Sequence, residues 1–407
     1  MKAFCIKTGN TINPFGDCVS ETRIVDRLLA DVQRDALKDA GVTLVDIVPQ
    51  GEPYLLISDR TWFTSELIKK IITGDFGCLQ VENADWLNAT GALQTLNEKG
   101  VYEIAFLPPD AKPDFKRCPL IKLHLDVRPV DPDVLVNAVR HPVFETSEKQ
   151  PFWIGTEMVF QIDHWIHILK VNHLSMSYAL EKGKREFKSS SILSKMITIT
   201  KILMKSRSIN KWKIMQQLND IEKGADIHPT AVVEFSTIKK GAKIGPFAVV
   251  RGCYIGEDAV IEQYAILQMS VVGKNAFLPA SAIFNLCVAY PGAMISFGCG
   301  YQMSVFGYDC FMAFGVTVLD LSFGKSIKVS KNDNTGFTDS KTNFLGAVIG
   351  HRVRVGNNVR IGFGVSVPND AFLVSQADTL LRDWNDAPVN DAVRVHNGKA
   401  VPVKDVA

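Results

Sequence analysis

No apolar run in the 407-residue chain approaches the about 20 residues that a membrane-spanning helix needs. The opening MKAFCIKTGN turns polar too soon for a signal peptide. The eight cysteines are scattered and form no Cys-x-x-Cys pair, so neither a disulfide framework nor a zinc site is expected. Free thiols in a reducing compartment, and hence a cytoplasmic location, are the expectation. Charge of one sign is not in excess: 45 Lys+Arg face 43 Asp+Glu, a net charge of +2. That balance argues against a chain that is basic all over, so no nucleic acid is expected as partner. Tryptophan is missing from residues 224–367, and histidine is scarce there, with only His228 and His351.

What that stretch has is glycine, 18 of the 29 in the chain. It also has a period. One column of apolar residues reads Ile227, Ile244, Ile261, Leu278, Ile295, Met312, each step being 17. A second reads Val233, Val250, Leu267, Phe284, Tyr301, Val318, and a third Ile238, Ile255, Val272, Ala289, Phe306. After a break the rhythm resumes in sixes at Ile349, Val355, Ile361 and Val367. A step near six is neither helical nor simple alternation. It suits a short strand and a tight corner, three times per coil, with one large apolar side chain pointing inward on each face. Each buried side chain contributes about 1.5–3 kcal/mol, which offsets the ordering entropy only when several coils stack. Glycines such as Gly245, Gly256 and Gly273 suit corners of positive φ or close approach.

These columns resemble the left-handed parallel β-helix of hexapeptide-repeat proteins. Residues 319–346 interrupt the repeat with a polar, glycine-containing stretch and predict a protruding loop or hairpin, with SIKVS at 326–330 as one arm. In the trimeric members such loops reach a neighbouring subunit, so the resemblance implies a homotrimer with the loop at a site or interface.

Residues 1–180 read as alternating strands and helices, hence a parallel-sheet α/β domain. Strands are predicted at 2–7, 42–48, 53–58 and 101–107, and helices at 20–40 (capped by Ser20) and 64–73. An α/β domain feeding such a β-helix resembles the bifunctional sugar-1-phosphate nucleotidyltransferase/acetyltransferases that make UDP-N-acetylglucosamine. In that comparison PYLLISD delivers a metal-binding carboxylate, here Asp59, and KSIKVSKNDNTGFTDSKTNFLGAVIGHRVRVGNNVRIGFGVSV looks like the late β-helix of the archaeal members. The family's Arg-containing nucleotide loop is replaced by TGNTINPFGDC, which has no arginine to meet phosphates. The Trp-x-Asp-x-Gly-Thr motif is echoed without its Asp in Trp153, Ile154, Gly155 and Thr156. The N-terminal domain is therefore expected to lack nucleotidyl transfer, and Mg at Asp59 is expected only if it is active.

The resemblance implies acyl or acetyl transfer from acyl-CoA or acetyl-CoA to a sugar or sugar nucleotide, with a histidine as general base. Phe297 stands where the family has that histidine, and Asp320–Leu321 replaces its Asn–Tyr. His351 or Asp320 is the candidate base, because His228, in Ile227-His228-Pro229-Thr230, reads as the opening of the first coil. Lys325, Lys328, Arg352, Arg354 and Arg360 are candidates to hold phosphates. A γ-class carbonic anhydrase would need three converging histidines, and the repeat has two. Two other outcomes stay open. One is a non-catalytic assembly or sugar-nucleotide-sensing protein, like the related translation-factor and dynein-cofactor subunits. The other is an active sugar-1-phosphate nucleotidyltransferase.

The chain thus divides into an α/β domain (1–160), a helical basic linker (161–223), a β-helix (224–375) and a tail (376–407). Residues 182–213 carry ten Lys/Arg against Glu186 alone, so this window is +9 and the remainder of the chain −7. The helix at 192–207 is amphipathic and basic. It reads either as an arm packing its apolar side on the protein, the preferred reading at a domain joint, or as a peripheral membrane contact through 182–213.

Overall fold

The computed structural model describes residues 1–96, 100–130, 152–207, 209–210, 213–214, 216–298, 300–375, 381, 393–397 and 399–403. The α/β domain is built on a six-stranded sheet. Its order is Thr43–Val45, Lys2–Ile6, Tyr54–Ser58, Val101–Leu107, Gly77–Val81, Leu120–Leu123. Tyr54–Ser58 is buried along its whole length and sits near the sheet centre. Val101–Leu107 runs antiparallel to both neighbours, so the sheet is mixed, not parallel as expected. The short helix Ala84–Thr90 and its loop return the chain beside Gly77–Val81 in the reverse direction.

The predicted helix 20–40 is shorter. Helix α1 spans Leu29–Asp39, and a tight hairpin, Arg23–Ile24 against Arg27–Leu28, precedes it. Val25 and Asp26 turn at positive φ. Tertiary bonds hold that turn: Asn172 accepts the Val25 N–H at 2.6 Å and donates to the Arg23 carbonyl at 3.0 Å. Helical propensity is a weak preference, and these contacts override it. Helix α2 (Ser65–Ile72) falls where predicted.

From Asp220 onward the chain winds into three-sided coils. One parallel ladder runs Asp220–Ile221, Thr237–Ile238, Tyr254–Ile255, Val271–Val272, Val288–Ala289, Val305–Phe306, Val348–Ile349, Ser366–Val367. Two further sets of parallel ladders form the other sides. The arrangement fits a left-handed parallel β-helix. The three apolar columns fill its interior and, apart from Ile227 at the open end, are buried. Gly256 and Gly273 are required by close approach: a Cβ would lie 2.6 Å from the Lys274 nitrogen and 2.7 Å from the Pro291 nitrogen of the next coil. The insertion 319–346 carries the hairpin Lys328–Ser330 against Phe337–Asp339, after which the coil resumes at Val348–Ile349.

The first side of the prism is covered. Its outward residues Val271, Val288, Val305 and Val348 are buried in one apolar core with Trp165, Leu169 and Phe15 of the α/β part. The long helix α3 (Trp165–Ser189) lies against this side. It leads into helix α4 (Ile192–Ser206), whose large apolar residues are exposed. The preferred expectation of an arm packed by its apolar side is therefore corrected. Much of the 376–407 tail lies outside the described residues; Val393–His396 and Lys399–Pro402 form a hairpin.

Candidate functional site

The loop at residues 8–18, at the carboxyl edge of the sheet, does not stand open for a nucleotide. Ile12 and Phe15 are buried, and the loop plugs into the β-helix. Asn332 of the insertion accepts the Asn13 N–H at 2.7 Å and donates to the Thr11 carbonyl at 2.6 Å. Asn334 accepts from the Asn13 side chain at 2.8 Å. Asn369 donates to the Phe15 carbonyl at 2.6 Å and accepts the His351 N–H at 2.7 Å.

His351 sits in the middle of this junction, 4% exposed. Its ring stacks on Phe15 at 4.7 Å and lies 4.8 Å from the Tyr308 ring. Nδ1 accepts the Tyr308 N–H at 3.0 Å. Nε2 must then carry the proton and donates to Asp17 at 2.8 Å. The one lone pair that could take a proton from a substrate is already occupied. In this arrangement both ring nitrogens of His351 are engaged, and the residue works as a joint between the loop and the β-helix.

Arg23 completes the junction. Its Nε donates to the Tyr308 hydroxyl at 2.7 Å, its backbone N–H donates to Tyr290 at 3.1 Å, and its guanidinium carbon lies 5.5 Å from the Tyr308 ring centre. Burial pushes the Tyr290 hydroxyl pKa up, so it stays neutral. Sequence reasoning missed Phe15, Asp17, Arg23, Tyr290 and Tyr308. One signal was available: after Lys239, Tyr290 interrupts a corner column that reads Gly256, Gly273 and Gly307 on either side of it. A large aromatic residue there reports a covering partner.

Asp59 bonds to the start of the loop at 8–18. Its Oδ2 accepts the Thr8 N–H at 3.0 Å and its Oδ1 the Thr8 hydroxyl at 2.8 Å. It fixes the start of the same loop. Both Asp59 oxygens are thus taken by Thr8, and among the described residues no group of three His, Cys, Asp or Glu stands together.

Asp320 is elsewhere. It follows Thr317–Val318, which pairs with Arg360–Ile361 on an uncovered side of the prism, whereas His351 follows a strand of the covered side. Burial pushes the Asp320 carboxyl pKa up, while Gln302, donating to Oδ2 at 2.8 Å, pulls it down. Arg360 is exposed opposite Thr317. The other basic candidates do not gather there. Arg352 is held by Asp370 at 2.6 and 2.8 Å, Arg354 reaches the Asp309 carbonyl on a different side, and Lys325 and Lys328 are exposed on the insertion. Phe297 is exposed at a corner. A groove of about 300 Å³ on the early coils is lined by His228, Lys243 and Glu262.

No protein-family model matches the chain, and no curated protein matches it. Solved structures do. The acetyltransferase domain of PglB from Neisseria gonorrhoeae aligns at 12% identity over 38% of this chain and 53% of that one, with a TM-score of 0.14. A second structure of that domain, in complex with acetyl coenzyme A, aligns at 13% identity over 36% and 52%, with a TM-score of 0.15. UDP-N-acetylglucosamine acyltransferase from Francisella novicida aligns at 15% identity over 46% and 68%, with a TM-score of 0.20. This chain spans about half the length of the first two. At these values the fold rests on the coil geometry and not on the likeness.

Proposed function

We propose that the protein is a hexapeptide-repeat acyltransferase that moves an acyl group directly from acyl-CoA to a sugar or sugar nucleotide. The acceptor N–H or O–H attacks the thioester carbonyl, Asp320 takes its proton, the C–S bond breaks, and the proton passes to the CoA sulfur. The observation that carries this reading is the pairing of Asp320 with Gln302, and of its strand with the Arg360 strand, on an uncovered side. A carboxyl pushed up by burial is a better base than an exposed one. Arg360 would meet phosphate on the same side. A homotrimer is supported by the apolar residues on the uncovered sides, among them Ile266, Ile283, Met294 and Phe311. The α/β domain holds the β-helix and takes no part in the chemistry.

The test is chromatographic measurement of free CoA from acetyl-CoA and a panel of sugar nucleotides, with acetyl-CoA binding followed by calorimetry. Asp320→Asn is expected to lower turnover at least about 100-fold. Unchanged turnover in that variant removes Asp320 from the reaction.

A second reading has its own support. The locked His351 and the engaged loop favour a non-catalytic assembly or sugar-nucleotide-sensing protein. Absence of both CoA release and acetyl-CoA binding would select it. Active nucleotidyl transfer has little support, because the loop at 8–18 is used as a clasp and carries no arginine.

A further inference from the structure

Helix α4 is turned the unexpected way. At about 100° per residue, Ile199, Ile192, Leu203, Met196, Leu193 and Met204 fall within one arc. Their exposure is high: Ile192 78%, Leu193 69%, Met196 61%, Met204 72%. Lys195, Thr198 and Ile202 are half-buried and Ser206 is buried, and these four form a different strip. The helix therefore rests on the protein by a mostly polar strip and presents its apolar arc outward. A folded chain gains nothing from that orientation unless something outside covers the arc.

The charge around the arc says what. No Asp or Glu occurs between Glu186 and Asp220, while Lys195, Lys201, Lys205 and Arg207 fall in or beside the helix. Lys201 and Lys205 lie on the side of the helix away from the arc, and among the described residues neither has an ion-pair partner. By contrast Lys182 and Arg185, on the preceding helix, are paired with Asp39 and Asp126 of the α/β domain. An aliphatic arc backed by a polar face of unpaired lysines matches a bilayer interface, where the arc enters the acyl boundary and the lysines of the polar face stay among the headgroups. Among the described residues no helix is long and apolar enough to cross a membrane, which leaves lying on the surface as the mode of contact. A second copy fits less well, because two arcs brought face to face would also bring together two lysine-bearing helices with no acid on either.

We infer that α4 docks the protein on an anionic lipid surface. Co-sedimentation of the full chain with two vesicle types tests this: phosphatidylcholine alone, and an equal mixture with phosphatidylserine. Wild type is expected to pellet with the mixed vesicles and to be released by added salt. Leu193→Gln with Met204→Gln should abolish pelleting, and both side chains are exposed, so thermal unfolding should not move. Lys201→Gln with Lys205→Gln should weaken binding to the mixed vesicles about 30-fold and leave binding to phosphatidylcholine nearly unchanged. Failure of wild type to pellet, or equal pelleting by the Leu193/Met204 variant, overturns the inference. So does an oligomer in solution that dissociates in that variant while wild type ignores vesicles, since the occupant is then a second copy.

Discussion

The covered and uncovered sides of the prism share an interior and differ only outward. Each coil buries the same inward columns, so the inside specifies that coils stack and nothing more. On the covered side the outward residues Val271, Val288, Val305 and Val348 are buried against the α/β part. On an uncovered side the corresponding outward residues Ile266 and Ile283 remain partly exposed, and Lys243 and Arg354 occur on the other. The outward valines mark the side that receives the α/β part, and Ile266 and Ile283 mark a side with no partner among the described residues of this chain. Parallel strands that are apolar on both faces call for cover on both, which the α/β part supplies on the first side only.

The largest expected effect breaks that comparison directly. Val305→Asp places an unpaired charge inside the domain junction and should cost about 4 kcal/mol in denaturant unfolding. Lys243→Asp, at an exposed polar position on an uncovered side, should cost less than about 1 kcal/mol. Equal costs would mean that the junction contributes little.

Acid is the next lever. His173 is half-buried at the junction beside the Met269 carbonyl, and loss of solvent around its ring pushes its pKa down to about 4. The folded state prefers the neutral ring, so this stability is present above about 6.5 and is lost as pH falls toward 4, on the order of 3 kcal/mol. Burial lowers His164 and His167 as well. Asp26 opposes them: burial pushes its carboxyl up to about 6, so its protonation favours the folded state as pH falls through the same window. The three histidines should prevail, giving a net loss between pH 6.5 and 4 in thermal melts. Asp26→Asn should make that loss steeper, and a flat profile would show that the junction does not sense pH.

The smallest effect sharpens the junction itself. Asp17→Asn keeps the shape but weakens the bond to His351, at about 1 kcal/mol. A double-mutant cycle with His351→Gln should show coupling of similar size, and additivity would show that the pair is incidental.

The coils were legible because a period of 17 repeats the same demand many times, and noise in one coil is corrected by the next. The hairpin at 23–28 was not, because its turn depends on Asn172 and Tyr290, far away in sequence. His351 was legible as a singular residue. Its engagement was not, since Phe15 and Asp17 reach it from the other end of the chain. The outward valine column was present in the sequence all along. It is hidden when only the inward residues are followed.

The bond between Asp17 and His351 joins positions 334 residues apart. During synthesis the amino-terminal domain emerges first, with Phe15 and its loop still without the surface they close on. That surface exists only once the late coils have been made. The α/β domain therefore cannot reach its final packing until the late coils have been translated, and the molecule should fold with the slow kinetics of high contact order.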